Sequence, residues 1–492
     1  MKYVSTREGR GGVTASQAIV RGIAPDGGLY VPAEIPQIDA AFIESLCGMG
    51  YRERAVKILG LYLEEFTEEE LAEIAQASYG ANFDDPAIAP LRVLDDDTAI
   101  LELWHGPTSA FKDMALQIMP RLLTASLRKN GESRTASILV ATSGDTGKAA
   151  LEGFRDVPGT RIMVFYPRDG VSQIQKLQMA TQEGGNVNVV AVNGNFDDCQ
   201  TGVKNIFADA GFAKTLDERG YFLSSANSIN WGRLVPQIVY YFSAYCDWVN
   251  LGRAAVGDPI DFCVPTGNFG NILAGWFAKR MGLPVRRFLC ASNDNNVLTD
   301  FFNTGVYDRN RPFYLTGSPS MDILVSSNLE RLLYCVTGDA AFVADCMKKL
   351  SAEGRYEIPA DVLAAIRADF DGGFAPDAAS REEIGRRFRE GYLMDTHTAV
   401  ASRVLRDARA AAGGSAPCVI VSTASPFKFG AAVLEAIGAP TDETGPALMD
   451  ALTAATGVNA PAPLAALAGK PVRFERWVEI PDMENAVSAF LA

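Results

Sequence analysis

Three segments of the chain combine glycine with hydroxyl or amide side chains where a short apolar run ends. They are SGDTG (residues 143–147), GNFGN (267–271) and STASPFKF (422–429). Glycine lets the backbone approach an anion closely, and the helix after such a loop offers free N–H groups and the positive end of its dipole. The sequence therefore predicts an anion-binding cleft that these segments share. Neither glycine loop matches GxGxxG or GxxxxGK[ST], so a dinucleotide site and an ATP P-loop are not supported.

A lysine lies in a fourth segment, HGPTSAFKDMALQ (105–117). Gly106 and Pro107 break regular structure, and an amphipathic helix starts at about Lys112. One interpretation of Lys112 is an ordinary exposed lysine at a helix start. In the other, burial and the helix dipole favour the neutral amine, which is a nucleophile for an aldehyde. A phosphate cradle, such a lysine and aromatic surroundings are what pyridoxal phosphate needs.

The elements that must position these residues alternate between strands and helices. Predicted helices cover 172–182 and 397–412, and apolar β-rich runs predict strands at 138–142, 162–166, 187–192, 260–265, 287–291 and 418–423. This alternation is typical of βαβ units and a mainly parallel sheet, which predicts the α/β class. Ligands bind such sheets at the carboxyl ends of the strands, where the polar loops fall.

The chain divides into four predicted regions. Residues 1–92 form a small helical cap, in which Thr67 and Glu70 have the spacing of a capping box. Residues 93–309 form the α/β core that carries Lys112, 310–391 a mostly helical insertion, and 392–492 a C-terminal part that completes the core.

Composition excludes several classes of protein. The 492 residues are 48% hydrophobic and 21% charged, enough to bury a large core. The net charge of −14 gives no general attraction for nucleic acid or an anionic membrane. The 8 Cys form no CxxC pair and predict free thiols, while 2 His are too few for a His-rich metal site, so no metal is expected. With no apolar leader and no apolar run approaching a membrane span, we expect a cytoplasmic protein.

The segment HGPTSAFKDMALQ resembles the cofactor-lysine segment of the threonine synthase family, pyridoxal-phosphate enzymes with the tryptophan-synthase-β-like fold (fold type II). Further motifs follow in family order: GIAPDGGLYVP (22–32), SGDTG, SANSINWGRLVPQ (225–237), PTGNFGN (265–271), DTHTAV (395–400) and STASPFKF. The length and the helical insertion suit the longer class found in many bacteria and fungi. The resemblance implies two parallel α/β sub-domains with a small N-terminal cap.

The resemblance also implies which residues bind the cofactor. Lys112 would attach to it covalently and then move protons at the substrate Cα. Thr423 stands at the family position that hydrogen-bonds the pyridine nitrogen, and Asp145 would lie near the cofactor's 3-oxygen. The residues of the phosphate cradle would be Gly267, Asn268, Phe269, Gly270 and Asn271.

Substrate binding is implied for two groups of residues. Ser143 and Thr146 would bind the amino-acid carboxylate, although both are also suited to capping the next helix. The candidates for the substrate's own phosphate are Asn227, Ser228, Asn230, Arg233 and Lys428. For Asn230 and Arg233 the alternatives are helix capping and a solvated charge.

One segment departs from the family pattern. The family usually reads S-T-A-H-P-A-K-F where this chain has STASPFKF, so Ser425 replaces a histidine and Phe427 an alanine. If that histidine held phosphate or relayed a proton, His397 or a water molecule would take its place here.

The implied reaction converts O-phospho-L-homoserine and water to L-threonine and phosphate. The alternatives are a serine/threonine dehydratase or β-replacement enzyme of the same fold, and a catalytically silent binding protein. The sequence leaves the oligomeric state open between monomer and homodimer.

Overall fold

The structure is a computed structural model that describes residues 1–9, 11–142, 144–169, 171–413 and 416–492. The N-terminal region pairs β1 with β2 in an antiparallel ribbon. Its elements are β1 (Tyr3–Ser5), α1 (Ala15–Arg21), β2 (Tyr30–Pro32), α2 (Ala40–Cys47), α3 (Tyr51–Tyr62) and α4 (Glu68–Ser78). The capping box at the start of α4 is confirmed, because Thr67 and Glu70 exchange side-chain-to-backbone hydrogen bonds.

The next region alternates strands with helices, as predicted. Its strands are β3 (Leu91–Asp95), β4 (Thr98–Glu102), β5 (Thr135–Ala141), β6 (Thr160–Pro167), β7 (Val187–Val192), β8 (Tyr221–Ser224), β9 (Ile260–Pro265), β10 (Val285–Ser292) and β11 (Val306–Asp308). Its helices are α5 (Asp113–Leu116), α6 (Met119–Lys129), α7 (Asp145–Phe154), α8 (Gln173–Ala180), α9 (Phe196–Ala208), α10 (Ala210–Glu218), α11 (Trp231–Asn250), α12 (Gly270–Met281) and α13 (Val297–Thr304).

The remainder of the chain is mostly helical. It contains α14 (Leu329–Thr337), α15 (Ala340–Glu353), β12 (Arg355–Glu357), α16 (Ala360–Arg367), β13 (Phe370–Phe374), α17 (Asp377–Arg389), α18 (Thr396–Ala412), β14 (Cys418–Ser422), α19 (Gly430–Ala436), α20 (Ala447–Thr456), α21 (Ala462–Ala465), β15 (Trp477–Val478) and α22 (Met483–Phe490). Short 3₁₀ turns cover Pro319–Met321, Pro426–Phe429, Ala466–Gly469 and Ile480–Asp482. Within the described residues, none of the helices combines the length and apolar character that crossing a membrane requires.

Two mainly parallel sheets organise the described chain. One has the order β13–β10–β9–β14–β4–β3 and is parallel except for the antiparallel edge strand β3. The other has the order β15–β7–β6–β5–β8 and is parallel throughout. Helices bury both sheets, and α11 is buried along most of its length. The predicted α/β class with two parallel sub-domains is confirmed.

Strand β13 was not expected inside the mostly helical insertion. Its sequence, FDGGF, has two glycines and little β propensity. A Cβ on Gly373 would come within 2.7 Å of Val404 in α18, and one on Gly372 within 3.0 Å of Thr299 in α13. The glycines therefore allow helices to pack closely against the strand, which explains why tertiary packing overrides the weak local signal.

Candidate active site

The loops GNFGN and STASPFKF and the segment HGPTSAFKD leave neighbouring strands of one sheet, whereas SGDTG follows β5 in the other sheet. Strands β9, β14 and β4 are adjacent and parallel, so their carboxyl ends meet at the same edge. The backbone N–H of Leu103 donates to Ser422 O at 3.0 Å, and that of Phe111 donates to Thr423 O at 2.8 Å. These bonds place Lys112 next to the segment that holds Thr423.

The loop before Lys112 is organised around a buried carboxylate. The backbone N–H and the hydroxyl of Thr108 both donate to Asp113, each at 2.8 Å. Burial raises the pKa of Asp113 to about 7, although these bonds oppose the shift. A Cβ on Gly106 would lie 2.6 Å from Asp113, so glycine is needed for the loop to close over the carboxylate. The HGPTSAFKD segment thus fixes the position of Lys112.

Lys112 is buried at the start of the short helix α5. Its Nζ lies 3.8 Å from Asp145 Oδ2 and 4.7 Å from the centroid of the Phe111 ring. Burial lowers the pKa of Lys112 to about 8; Arg233 and Lys428 act in the same direction, and Asp145 opposes them. The amine therefore has a larger neutral fraction near neutral pH than an exposed lysine, as a nucleophile or proton acceptor requires.

Asp145, the first residue of α7, is the carboxylate of this cluster. Lys428 Nζ lies 2.7 Å from its Oδ1, and Gln175 Nε2 donates to the same oxygen at 2.8 Å. Burial favours the neutral acid, but Lys428 and Lys112 outweigh it and lower the pKa of Asp145 below its usual range. Asp145 therefore stays ionised beside the two lysines.

Two backbone N–H groups of the SGDTG loop are engaged within the protein. The backbone N–H groups of Gly144 and Gly147 donate to Thr142 Oγ1 at 3.0 and 2.9 Å. Gly144 has φ 138°, and a Cβ there would lie 2.4 Å from Gln175. Thr146 is half-buried in the first turn of α7, and the predicted substrate residue Ser143 lies outside the described residues.

The GNFGN loop ends at a helix start with free donors. Phe269 adopts φ 64°, α12 begins at Gly270, and among the described residues no side chain caps this helix. Asn271 Oδ1 accepts hydrogen bonds from the hydroxyls of Tyr240 (2.6 Å) and Tyr241 (2.8 Å). Its buried Nδ2 has no partner within the part of the chain that the structure describes. An uncapped helix start with an unpaired amide suits a phosphate group.

The first two carbonyls of this loop accept hydrogen bonds from the helical insertion. Gly267 O accepts from the hydroxyl of Ser326, and Asn268 O accepts from Asn328 Nδ2 at 3.1 Å. Ser320, in the same segment, donates to Asp145 Oδ2 at 3.4 Å. These residues are not among those predicted from the sequence. The signal was the polar stretch SPSMDILVSSN (318–328) inside a region otherwise typical of helices.

The first turn of α11 and the residues before it contain polar groups, among them a cationic donor with no partner among the described residues. Asn230 Oδ1 caps α11 by accepting from Gly232 N–H at 2.8 Å, and its Nδ2 donates to Ile19 O at 3.0 Å. Arg233 Nη1 donates to Ala226 O at 2.7 Å, whereas its buried Nε is unpartnered among the residues described. Burial lowers the pKa of Arg233 to about 10. Asn227 and Ser228 are half-buried in the same turn.

The STASPFKF segment places Lys428 away from solvent. Its Nζ donates to Thr108 O at 3.0 Å in addition to pairing with Asp145. Ser425 heads the 3₁₀ turn, where its Oγ accepts from Phe427 N–H at 3.4 Å. Ser425 thus has a local structural contact at the position where the family usually has histidine.

Ser320 connects His397 to Asp145, which lies beside Lys112 and Lys428. Its Nδ1 is 2.8 Å from Asp395 Oδ1, and its Nε2 accepts the backbone N–H of Ser320 at 3.1 Å. Its ring packs against Phe429, with centroids 4.9 Å apart. His397 therefore contacts Ser320, whose hydroxyl reaches Asp145.

Family models match three stretches of the chain. They are described as "Threonine synthase N terminus" (residues 2–79), "Pyridoxal-phosphate dependent enzyme" (99–424) and "Threonine synthase, C-terminal" (398–490).

Individual proteins match over most of the chain. Threonine synthase from Pseudomonas aeruginosa is 40% identical over 439 residues, 89% of this chain and 90% of that protein. Threonine synthase-like 1 from Homo sapiens is 43% identical over 434 residues, but the match spans 86% of this chain and only 58% of that longer relative. The crystal structure of PLP-bound threonine synthase from Brucella melitensis is 39% identical, with a TM-score of 0.87 and coverage of 100% of this chain and 99% of that one.

Proposed function

Because the chain belongs to the threonine synthase family of pyridoxal-phosphate-dependent enzymes, we propose that it converts O-phospho-L-homoserine and water to L-threonine and inorganic phosphate. The observation that carries this proposal is the position of Lys112. Its amine, with a pKa of about 8, lies beside the ionised Asp145 and next to the segment that holds Thr423.

Residues of three loops would hold the cofactor. Lys112 would attach to it, Thr423 would face its ring nitrogen, and Asp145 would face its 3-oxygen. The phosphate would bind the N–H groups at the start of α12, with Gly267, Asn268, Phe269, Gly270 and Asn271 forming the cradle. When bound, pyridoxal phosphate supplies an aldehyde for the substrate amine and an electron sink that acidifies the adjacent C–H bonds.

Lys112 would move protons in the reaction. Its Nζ accepts the proton from the substrate Cα and later returns one, which a pKa near 8 allows in both directions. Loss of a further proton from Cβ lets the γ-phosphate leave, Cγ then takes up a proton to become the methyl group, and the hydroxyl of a water molecule adds at Cβ. The neutral hydroxyl of Thr423 would stabilise the protonated form of the ring nitrogen less than a carboxylate would. A less protonated ring favours elimination and replacement over transamination.

The substrate would be held at both ends. Ser143 and Thr146, with the backbone of their loop, would bind the carboxylate. The proposed residues for the phosphate are Asn227, Ser228, Asn230, Arg233 and Lys428. Arg233 is the strongest of these candidates, because its buried Nε is unpaired among the described residues and a guanidinium binds phosphate oxygens in fork geometry.

Incubating the cofactor-loaded protein with O-phospho-L-homoserine tests the proposal. We expect phosphate and threonine in equal amounts. Phosphate with ammonia but no threonine would indicate a dehydratase-type reaction, and cofactor absorbance without turnover would indicate a silent binding protein. We further propose a cytoplasmic enzyme that is a monomer or homodimer, which light scattering after size-exclusion chromatography would distinguish.

A further inference from the structure

Asn328, just before α14, connects the two loops proposed to bind phosphate groups. Its Nδ2 donates to Asn268 O in the loop 267–271, here called the cofactor-phosphate loop. It also donates to Ser228 Oγ in the turn 227–230, the substrate-phosphate turn, and both distances are 3.1 Å. Its backbone N–H also donates to Asn268 O, at 3.2 Å. Asn328 is fully buried, and it belongs to the helical insertion rather than to either loop. One side chain thus contacts both loops directly.

Arg331, one turn later, sets the orientation of that amide. Its Nη1 donates to Asn328 Oδ1, which leaves Nδ2 to face the two loops. The same guanidinium donates to the backbone oxygens of the turn before α11, Ser228 O at 3.0 Å and Ile229 O at 2.6 Å. Arg331 therefore binds the substrate-phosphate turn and the Asn328 amide at the same time.

The buried charge of Arg331 also supports a role near bound anions. The side chain is fully buried, and its hydrogen bonds go to neutral oxygens: those of Asn328, Ser228, Ile229 and Tyr30. The neighbouring Glu330 carboxylate is bound by Thr6 and Arg7 instead. A buried cation with neutral acceptors is more stable when an anion binds nearby.

Close packing supports the connection between the loops. A Cβ on Gly270, the first residue of α12, would lie 3.3 Å from Asn328 Nδ2 and 3.4 Å from the Cβ of Ser228. Glycine at this position therefore allows the helix start, the turn and Asn328 to approach one another.

We propose that Asn328 and Arg331 are positioning residues that hold the cofactor-phosphate loop and the substrate-phosphate turn together. The pair would then strengthen binding of the cofactor phosphate at the loop and of the substrate phosphate at the turn, relative to ligands without a phosphate group. The half that concerns the substrate rests on the proposed function, whereas the half that concerns the cofactor requires no turnover.

The test compares Asn328→Ala with Asn310→Ala, which removes an amide that donates to Glu353 O elsewhere in the insertion. Protein freed of cofactor is titrated with pyridoxal phosphate and with pyridoxal, and binding is followed by absorbance. Asn328→Ala should lower the preference for the phosphorylated form roughly tenfold, the scale of losing a buried hydrogen-bonding group, and Asn310→Ala should leave it unchanged. Equal weakening for both ligands, or an unchanged preference in folded Asn328→Ala, would overturn the cofactor half.

The substrate half is tested by steady-state kinetics on the same variants. Asn328→Ala should raise the KM for O-phospho-L-homoserine roughly tenfold while changing inhibition by the neutral product threonine much less. A parallel change in both constants would contradict the proposal. If Asn328→Ala does not fold, Asn328→Asp replaces it, because it keeps an oxygen that accepts from Arg331 but removes the two N–H bonds of Nδ2. This variant should also lower the preference for pyridoxal phosphate over pyridoxal and for O-phospho-L-homoserine over threonine. A protein that prefers pyridoxal phosphate but never converts O-phospho-L-homoserine would refute the proposed function and leave the cofactor half standing.

Discussion

The loop after β5 and the loop after β9 both lead from a parallel strand into a helix, yet their polar groups are used differently. In the first, Thr142 accepts two backbone N–H groups, and Asp145 is bound by Lys428 and Gln175. In the second, α12 starts without a side-chain cap among the described residues, and Asn271 Nδ2 is unpaired there. Glycine content alone does not separate them. The loops differ instead in whether a side chain binds the N–H groups at the helix start and in which polar side chains are already paired.

Charge separates the loops further. The first carries Asp145 within reach of Lys112, so it acts on the protonation of the lysine. The second presents backbone N–H groups and an amide, which suit an anion that stays bound. We therefore propose that the loop after β5 acts on Lys112 through Asp145 and that the loop after β9 binds the cofactor phosphate.

Removing the lysine should have the largest effect. Lys112→Ala should lose covalent cofactor attachment and reduce turnover by on the order of a thousandfold or more, because the nucleophile and the proton acceptor disappear together. Borohydride reduction and peptide mapping should place the cofactor on the Lys112 peptide of the unmutated chain. The matched control is Lys214→Ala, a lysine that is 79% exposed. A label on another lysine, or substantial activity in Lys112→Ala, would break the assignment.

Asp145→Asn separates the roles of the two loops. Asp145 raises the pKa of Lys112, so its loss should bring that pKa below about 8 and move the acid limb of cofactor attachment to lower pH. Turnover should fall by on the order of a hundredfold, because a charged partner of the reacting group is lost. The preference for pyridoxal phosphate over pyridoxal should persist, since the loop after β9 is intact. Asp345→Asn, at an exposed ion pair, serves as control.

Arg233→Ala and Lys428→Ala should differ from each other. Arg233 has an unpaired Nε among the described residues, so its loss should cost about 1.5–3 kcal/mol, roughly ten- to a hundredfold in affinity for O-phospho-L-homoserine, with little effect on threonine. Lys428 is bound to Asp145 and lowers the pKa of Lys112, so Lys428→Ala should move the acid limb to higher pH, opposite to Asp145→Asn. Equal losses for phosphorylated and neutral ligands in Arg233→Ala would argue for a purely structural arginine.

Thr423→Asp should have the smallest effect, and it tests the loop after β14, which contains Thr423. A carboxylate at this position should raise the protonation of the cofactor ring nitrogen. We expect cofactor binding to persist while transamination increases relative to threonine formation. Product analysis by chromatography, with bound cofactor verified by absorbance, measures the ratio. An unchanged ratio would place another residue at the ring nitrogen.

Much of the framework follows from local sequence. The predicted strands 187–192 and 260–265 coincide with β7 and β9, and the capping box at Thr67 forms as its spacing indicates. Apolar runs, turn residues and caps act over a few residues, so a single sequence reveals them. The residue types in the segment around Lys112 likewise indicate a reactive lysine without reference to the rest of the fold.

Tertiary structure alone decided which donors are free and which are engaged. Lys428 is a predicted phosphate ligand, and only the fold shows that it also pairs with Asp145 and with Thr108 O, 320 positions away. Asn328 contacts Ser228 across 100 positions, and the polar stretch 318–328 around it does not indicate that contact. Strand β13 forms because its glycines accept helices on both faces. Hydrogen bonds and burial between distant segments depend on packing, and packing is a property of the whole fold rather than of any short stretch of sequence.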